Sequence, residues 1–337
     1  MKYIALPKAG LVEIREMDRP TLTEGHAILK LLYGGICGSD LGSYNGTFLY
    51  AKYPLIPGHE FSAEIVEIGA NDRGLKPGMI VTGNPYYNCG HCYSCERGLV
   101  NCCTSNETLG CQRDGAFREY FSMPIERLID GKGIGAQELS LVEPFCISYH
   151  SVKRTNIIKG EKVLVVGAGT IGHLAAMAAK MVGAEVYIAD VSQAKLDMAK
   201  HTVDGIIHNT GDEDFVKQVE AITGGKGFDV CIEAVGMPST FMNCIEAAAF
   251  RGRIAVVGVG KKSFDFFYTI IQKKELDIFG SRNAMTADFV EVIDYVKDGK
   301  VDLLQIVSKV YPYEEAATAF HDMATKGSEL LKLMVKF

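Results

Sequence analysis

The chain has 337 residues, 47% hydrophobic and 23% charged, with a formal net charge of −6, 36 glycines and no tryptophan. That length exceeds what one hydrophobic core usually holds and predicts two domains, while the composition excludes disordered and fibrous classes. The acidic balance and the lack of any Lys/Arg-rich run leave no electrostatic footprint for nucleic acid. Residues 1–7 enter a strand-like pattern without a basic segment ahead of a long apolar run, so no secretory signal is predicted. The longest weakly polar stretch, 174–189, is broken by Lys180 and Glu185, which argues against a membrane span, and the chain reads as cytoplasmic. In that compartment ten cysteines are expected to be thiols and metal ligands rather than a disulfide framework.

From residue 1 to about 145 the pattern is one of short strands, 26–32, 61–68 and 78–82, separated by Gly- and Pro-rich turns, as in an irregular β-barrel. Within this stretch, Cys37 in Gly-Gly-Ile-Cys-Gly-Ser-Asp, His59-Glu60 after Pro57-Gly58, and Glu143 before Pro144 are dispersed candidates for one metal centre. One thiolate, one imidazole and one or two carboxylates hold zinc while leaving a position open for a substrate oxygen. Cys89, Cys92, Cys95 and Cys103 form the densest signal, with spacings of two, two and seven residues in a polar loop. That spacing predicts a closed four-thiolate zinc site, structural rather than catalytic. Cys102, beside Cys103, is an alternative fourth ligand on spacing alone.

After Gly160, apolar runs alternate with helical stretches: strands at 162–166, 185–189, 229–233 and 253–257, and helices at 171–182 and 193–200. Such alternation predicts βαβ units around a parallel sheet. The first strand runs into Gly167-Ala168-Gly169-Thr170-Ile171-Gly172, where glycines permit a tight turn and close approach of a pyrophosphate to a helix N-terminus. Asp190 ends the next strand, placed to accept hydrogen bonds from ribose hydroxyls and to repel a 2′-phosphate, which predicts NAD over NADP. Lys195 follows as a further cofactor-side residue, and Val235, Val257 and Val259 sit at later strand ends where a nicotinamide is expected. A helix at 288–297 and a strand at 331–335 complete the chain and are expected to rejoin the first lobe, leaving a cleft between the lobes as the expected active site. Tyr44, Phe48 and Tyr50 are candidates for the substrate mouth, and Arg282 for holding substrate oxygens.

Taken together, Cys37-Gly38-Ser39-Asp40, Gly58-His59-Glu60, the four-cysteine lobe and Gly167-Ala168-Gly169 occur in an order and spacing that resembles the zinc-containing medium-chain dehydrogenases, over essentially the whole chain. The resemblance implies an α/β protein with a GroES-like β-barrel catalytic domain, residues 1–147 and 283–337, and a doubly wound Rossmann domain, residues 148–282, in a homodimer or homotetramer. It implies catalytic zinc ligands Cys37, His59 and Glu60 and/or Glu143, structural ligands Cys89, Cys92, Cys95 and Cys103, and a proton relay starting at Ser39. Glu143-Pro144-Phe145 resembles the sorbitol, galactitol and sugar-acid branch, with Glu143 near the substrate. Many relatives carry a histidine two residues beyond the aspartate of the Cys-Gly-Ser-Asp run. This chain has Gly42 there, so the relay is expected to leave through the cofactor ribose and water, or through Glu143 and water.

The function expected is hydride transfer between NAD(H) and a secondary alcohol of a polyol, cyclitol or sugar acid, with zinc as Lewis acid. Two rivals are a threonine-type dehydrogenase with the same ligands and cofactor, and a non-catalytic NAD-binding redox sensor on the same scaffold. The remaining cysteines, Cys102, Cys111, Cys146, Cys231 and Cys244, lack ligand-like spacing and read as reduced, mostly buried thiols.

Overall fold

The computed structural model describes residues 1–260 and 262–337. The chain divides into two compact units, Met1–Glu143 with Ala284–Phe337, and Pro144–Asn283. Both termini therefore belong to the first unit. The first boundary falls inside the helix Val142–Thr155, whose opening turn tolerates Pro144 because its missing N–H would have no intrahelical partner there.

In the second unit, six parallel strands lie in the spatial order Gly205–His208, Glu185–Asp190, Lys162–Val166, Phe228–Glu233, Ala248–Val256, Asp277–Gly280. The sheet thus starts in its middle and reverses direction once, the doubly wound arrangement expected from the sequence, with its strand-end crevice at the reversal. The central strand reads as a continuous apolar run, Val163 to Val166, because it is covered on both faces. The helix Thr170–Met181 is apolar nearly all round and buries Leu174, Ala175, Ala176, Ala178 and Ala179. The outer strands Gly205–His208 and Asp277–Gly280 escape the sequence reading: each is four residues long and only partly buried, so neither gives a clean apolar run.

The first unit is built on a seven-stranded, mainly antiparallel sheet. Its central strand, His26–Gly35, pairs with Glu60–Ile68 and Tyr120–Pro124 and, at its far end, with the C-terminal strand Lys332–Lys336. Phe61, Phe117, Phe121, Leu29, Leu31 and Val335 are fully buried in one cluster beneath it. Each such side chain contributes roughly 1.5–3 kcal/mol of apolar burial, so the C-terminal strand is held by packing as well as by its ladder. No described helix is long and apolar enough to cross a membrane.

Candidate metal centres and cofactor site

Cys37, His59 and Glu60 come together in the first unit, their ligand atoms within 4.8 Å of one another. Cys37 directly precedes the short helix Gly38–Tyr44, and Glu60 opens the strand Glu60–Ile68. Asp40, buried, ties the two segments: its carboxylate accepts from the Cys37 N–H at 2.9 Å and the Gly58 N–H at 3.3 Å. Gly35 faces Glu60 across the ladder, and a Cβ there would lie 2.0 Å from Glu60 Oε2, so the glycine makes room for that carboxylate. His59 is buried with no hydrogen-bond partner on Nδ1. Burial opposes its protonation, yet the Cys37 thiol, the Cys111 thiol and Asp40 together hold its pKa well above the ordinary histidine value. A buried imidazole with an orphaned nitrogen beside a thiol and a carboxylate is a donor set that fits zinc with a position left open.

Glu60 meets a partner that the sequence reading misses. Lys332, from the C-terminal strand, donates to both Glu60 oxygens at 2.7 Å and to the Ile36 carbonyl at 3.2 Å. Lysine and glutamate are 3% and 1% exposed. Burial alone would lower the lysine pKa; Glu60 and Cys37 more than offset this and raise it. A lone lysine in the otherwise apolar run 331–335 is the only sequence signal of this pair.

Glu143 lies outside the three-donor cluster of Cys37, His59 and Glu60. Its carboxylate instead accepts from the Tyr86 hydroxyl. Burial, reinforced by Glu60, pushes its pKa up to about 7 from 4.5, against the opposing pull of His59, Tyr86 and Lys332. The folded state therefore holds this proton more tightly than the unfolded chain. The resulting stability, roughly 3 kcal/mol, is complete below pH about 4.5 and is lost as pH rises through about 7. Metal-free protein is expected to lose melting temperature between pH 5 and 8, and Glu143→Gln, neutral throughout, to flatten that slope. An unchanged slope in the variant would refute the assignment.

Cys89, Cys92, Cys95 and Cys103 also gather with their sulfurs within 4.8 Å. Cys103 Sγ accepts from the Cys89 N–H at 3.3 Å and the Ser105 N–H at 3.4 Å. Backbone hydrogen bonds from Thr104 and Cys95 lower the Cys92 pKa to about 5, whereas burial raises Cys95 to about 11. Amide donors aimed at clustered sulfurs are the support that thiolate ligands require, so this set fits a closed tetrahedral zinc. Cys102 is exposed and outside the set.

In the second unit, Gly167 adopts φ +107°, and a Cβ there would lie 2.4 Å from Val235 Cγ2. A Cβ on Gly172 would meet the Gly167 carbonyl at 1.7 Å, so helix and loop approach as only glycine allows. Gly169 caps the helix that Thr170 and Ile171 begin. Asp190 accepts from Ala168 N–H at 2.7 Å and Ser192 N–H at 2.8 Å, one bond per oxygen. A cavity of 580 Å³ is lined by Gly167, Asp190, Lys195, Asn209 and Val235 among others. Glu233, buried, orders its wall: one carboxylate oxygen accepts from the Val235 and Gly236 N–H groups, both at 2.9 Å, and from Thr240 Oγ1 at 2.7 Å. Val235 and Val259 are exposed, and Val257 half-buried, at the ends of neighbouring strands.

The Tyr44 ring lies tilted, 5.7 Å from that of Phe320, and packs partly buried against the core. Phe48 and Tyr50 contact each other edge-on at 5.6 Å. A Cβ on Gly42 would lie 3.3 Å from Phe48 Cβ, so Phe48 occupies the space beside a residue where relatives are expected to carry histidine. Arg282 is an exposed residue of the second unit.

Two family models match the chain: an alcohol dehydrogenase GroES-like domain over residues 23–132 and a zinc-binding dehydrogenase over residues 170–298. An L-galactonate-5-dehydrogenase of Escherichia coli is 35% identical, covering 98% of this chain and 97% of its own length. A sorbitol dehydrogenase of Halalkalibacterium halodurans is 33% identical over 97% and 96% of the two chains. Among solved structures, an alcohol dehydrogenase from Escherichia coli CFT073 with NADH superposes with a TM-score of 0.92 at 29% identity, covering 100% and 99%.

Proposed function

Since the chain belongs to the zinc-dependent medium-chain alcohol dehydrogenases, we propose that it transfers a hydride between NAD(H) and a secondary alcohol of a polyol, cyclitol or sugar acid. The observation that carries this reading is the open cluster of Cys37, His59 and Glu60, with the Ser39 hydroxyl on the adjacent helix turn. Relatives of 35% and 33% identity that act on L-galactonate and sorbitol support the substrate class.

When bound, zinc supplies a Lewis acid that lowers the pKa of a substrate hydroxyl, and NAD supplies the hydride acceptor. Cys37 and His59 would hold the metal, with Glu60 nearby on the Lys332 ammonium; Cys89, Cys92, Cys95 and Cys103 would hold a second, structural ion. Ser39 Oγ would accept the proton that the substrate hydroxyl gives up while donating its own onward, and Asp40 fixes the backbone from which Ser39 projects. With glycine at 42 and Phe48 beside it, no side chain at that position carries the proton onward. The Gly167–Gly172 turn would hold the pyrophosphate of the cofactor. Asp190 has used one lone pair on each oxygen for Ala168 and Ser192, and the others would be free to accept from ribose hydroxyls. A 2′-phosphate at that carboxylate meets like charge, which favours NAD.

The test is an absorbance screen with NAD and NADP over polyols, cyclitols, aldonates, L-threonine and ethanol. Polyols or sugar acids are expected to lead, with NAD preferred, and Asp190→Ser to raise the NAD KM and narrow discrimination against NADP by about tenfold or more. L-threonine or ethanol leading the panel would replace this substrate class; better use of NADP by the wild type would overturn the role of Asp190. No hydride transfer with any alcohol would favour the redox-sensor reading.

A further inference from the structure

Cys111 lacks ligand-like spacing, and nothing in its local sequence sets it apart. Tertiary structure places its thiol at the metal cluster. Its S–H donates to Ser39 Oγ at 3.9 Å, its sulfur faces the His59 ring, and the residue is 5% exposed.

This placement is fixed by the same contacts that place His59. The loop carrying Cys111 is laced to the segment before His59: Gly115 N–H donates to Ile56 O at 2.7 Å, Ala116 N–H to Gly58 O at 2.9 Å, and Phe117 N–H to Pro57 O at 3.1 Å. Gly110, at φ +74°, has no room for a Cβ, which would lie 2.6 Å from Gly58 N; one on Gly115 would lie 2.1 Å from Pro57 O. Within the loop, Cys111 N–H donates to Thr108 O at 3.1 Å. The backbone on either side of the thiol is therefore held against Pro57-Gly58, one residue from the imidazole.

We propose that Cys111 is a specificity-determining residue: its side chain forms the wall against which the carbon bearing the reacting hydroxyl, and the substituent on that carbon, must pack. This rests on reading Cys37, His59, Glu60 and Ser39 as the alcohol site. A hydroxyl that gives its proton to Ser39 Oγ lies within hydrogen-bond reach of it, and the thiol already touches both that oxygen and the His59 ring. The next atom of the substrate then has the sulfur as its neighbour. A thiol is small, largely apolar and a weak donor, so this wall accepts a C–H face and offers little to a second hydroxyl. The favoured substrate is one whose flank on this side is compact and hydrocarbon-like, its further hydroxyls directed elsewhere.

The test uses zinc-loaded Cys111→Ala, Cys111→Val and Cys111→Ser on vicinal diols, polyols and aldonates of three to six carbons and on cyclitols. One added or missing methylene in a fitted pocket changes discrimination by about tenfold or more. Cys111→Ala is therefore expected to raise the kcat/KM ratio of long over short substrates about tenfold, and Cys111→Val to lower it about as much. Cys111→Ser, of nearly the same size, is expected to keep the wild-type ratio within about twofold and thereby show that bulk decides. The same shifts are expected without turnover, in the dissociation constants of these diols from the NADH complex, followed by NADH fluorescence. Alanine and valine variants that melt like the wild type, bind NADH and leave every ratio within about twofold overturn the proposal. Should the valine variant not fold, the alanine ratio alone decides. A wild type that binds NADH but oxidises none of the series overturns the dehydrogenase reading, and this proposal with it. Unaltered ratios in active variants overturn the role of Cys111 alone.

Discussion

Lys332→Met is expected to destabilise the metal-free protein by about 3–5 kcal/mol, because it strands a carboxylate in a site that water does not reach. Glu60 is 1% exposed at its side chain, and both its oxygens depend on the one ammonium at 2.7 Å. Methionine matches the lysine stem in volume, so the loss reports charge rather than a cavity. The double variant Lys332→Met/Glu60→Gln is expected to recover most of the loss, since a neutral amide replaces the stranded charge and two partners removed together cost less than one. Zinc loading is expected to shrink the effect, because a divalent cation at Cys37 and His59 supplies positive charge to the same carboxylate. Urea unfolding of the three proteins, with and without chelator, measures all of this. A single variant within about 1 kcal/mol of the wild type, metal-free, would show that the pair adds nothing to stability.

His59→Ala and Cys92→Ser are expected to fail in opposite ways. His59 belongs to the donor set proposed to leave a position open, so its loss is expected to remove several kcal/mol of transition-state stabilisation, a fall in kcat/KM of about a thousandfold or more, in a protein that still melts cooperatively. Cys92 belongs to a closed set in a loop with little apolar burial of its own; of 89–103, only Asn101 and Cys103 are buried. Such a loop has no core to fall back on, and closed zinc sites in small peptides contribute roughly 10 kcal/mol to folding. Cys92→Ser is therefore expected to lower the melting temperature and expose the loop to protease before it changes the chemistry of each turnover. Metal analysis of protein purified without chelator is expected to give two zinc ions per chain in the wild type and one in either variant. One zinc in the wild type, together with a silent Cys92→Ser, would remove the structural site.

The motifs legible in the sequence are those whose parts lie close in the chain. Cys89, Cys92, Cys95 and Cys103 form one loop; Gly167, Gly169 and Gly172 are one strand-to-helix turn; Asp190 ends the adjacent parallel strand. Local spacing and the alternation of apolar strands with helices specify these with little help from the rest of the fold. The doubly wound sheet follows from the same alternation, which is why the second unit was readable almost strand by strand, apart from two short strands with no clean apolar pattern.

Only tertiary structure decides which side chains surround the open metal position. Lys332 reaches Glu60 across 272 residues because the C-terminal strand pairs with the strand that ends beside Ile36, a register that periodicity does not encode. Cys111 reaches Ser39 across 72 residues through glycine contacts between two loops. Glu143 pairs with Tyr86 across 57 residues, and Tyr44 packs against Phe320. The physical reason is common to all four. A sequence pattern records which face of an element is apolar, whereas long-range contacts among polar side chains depend on strand register and on how closely backbones approach. Those are settled only when the whole unit packs.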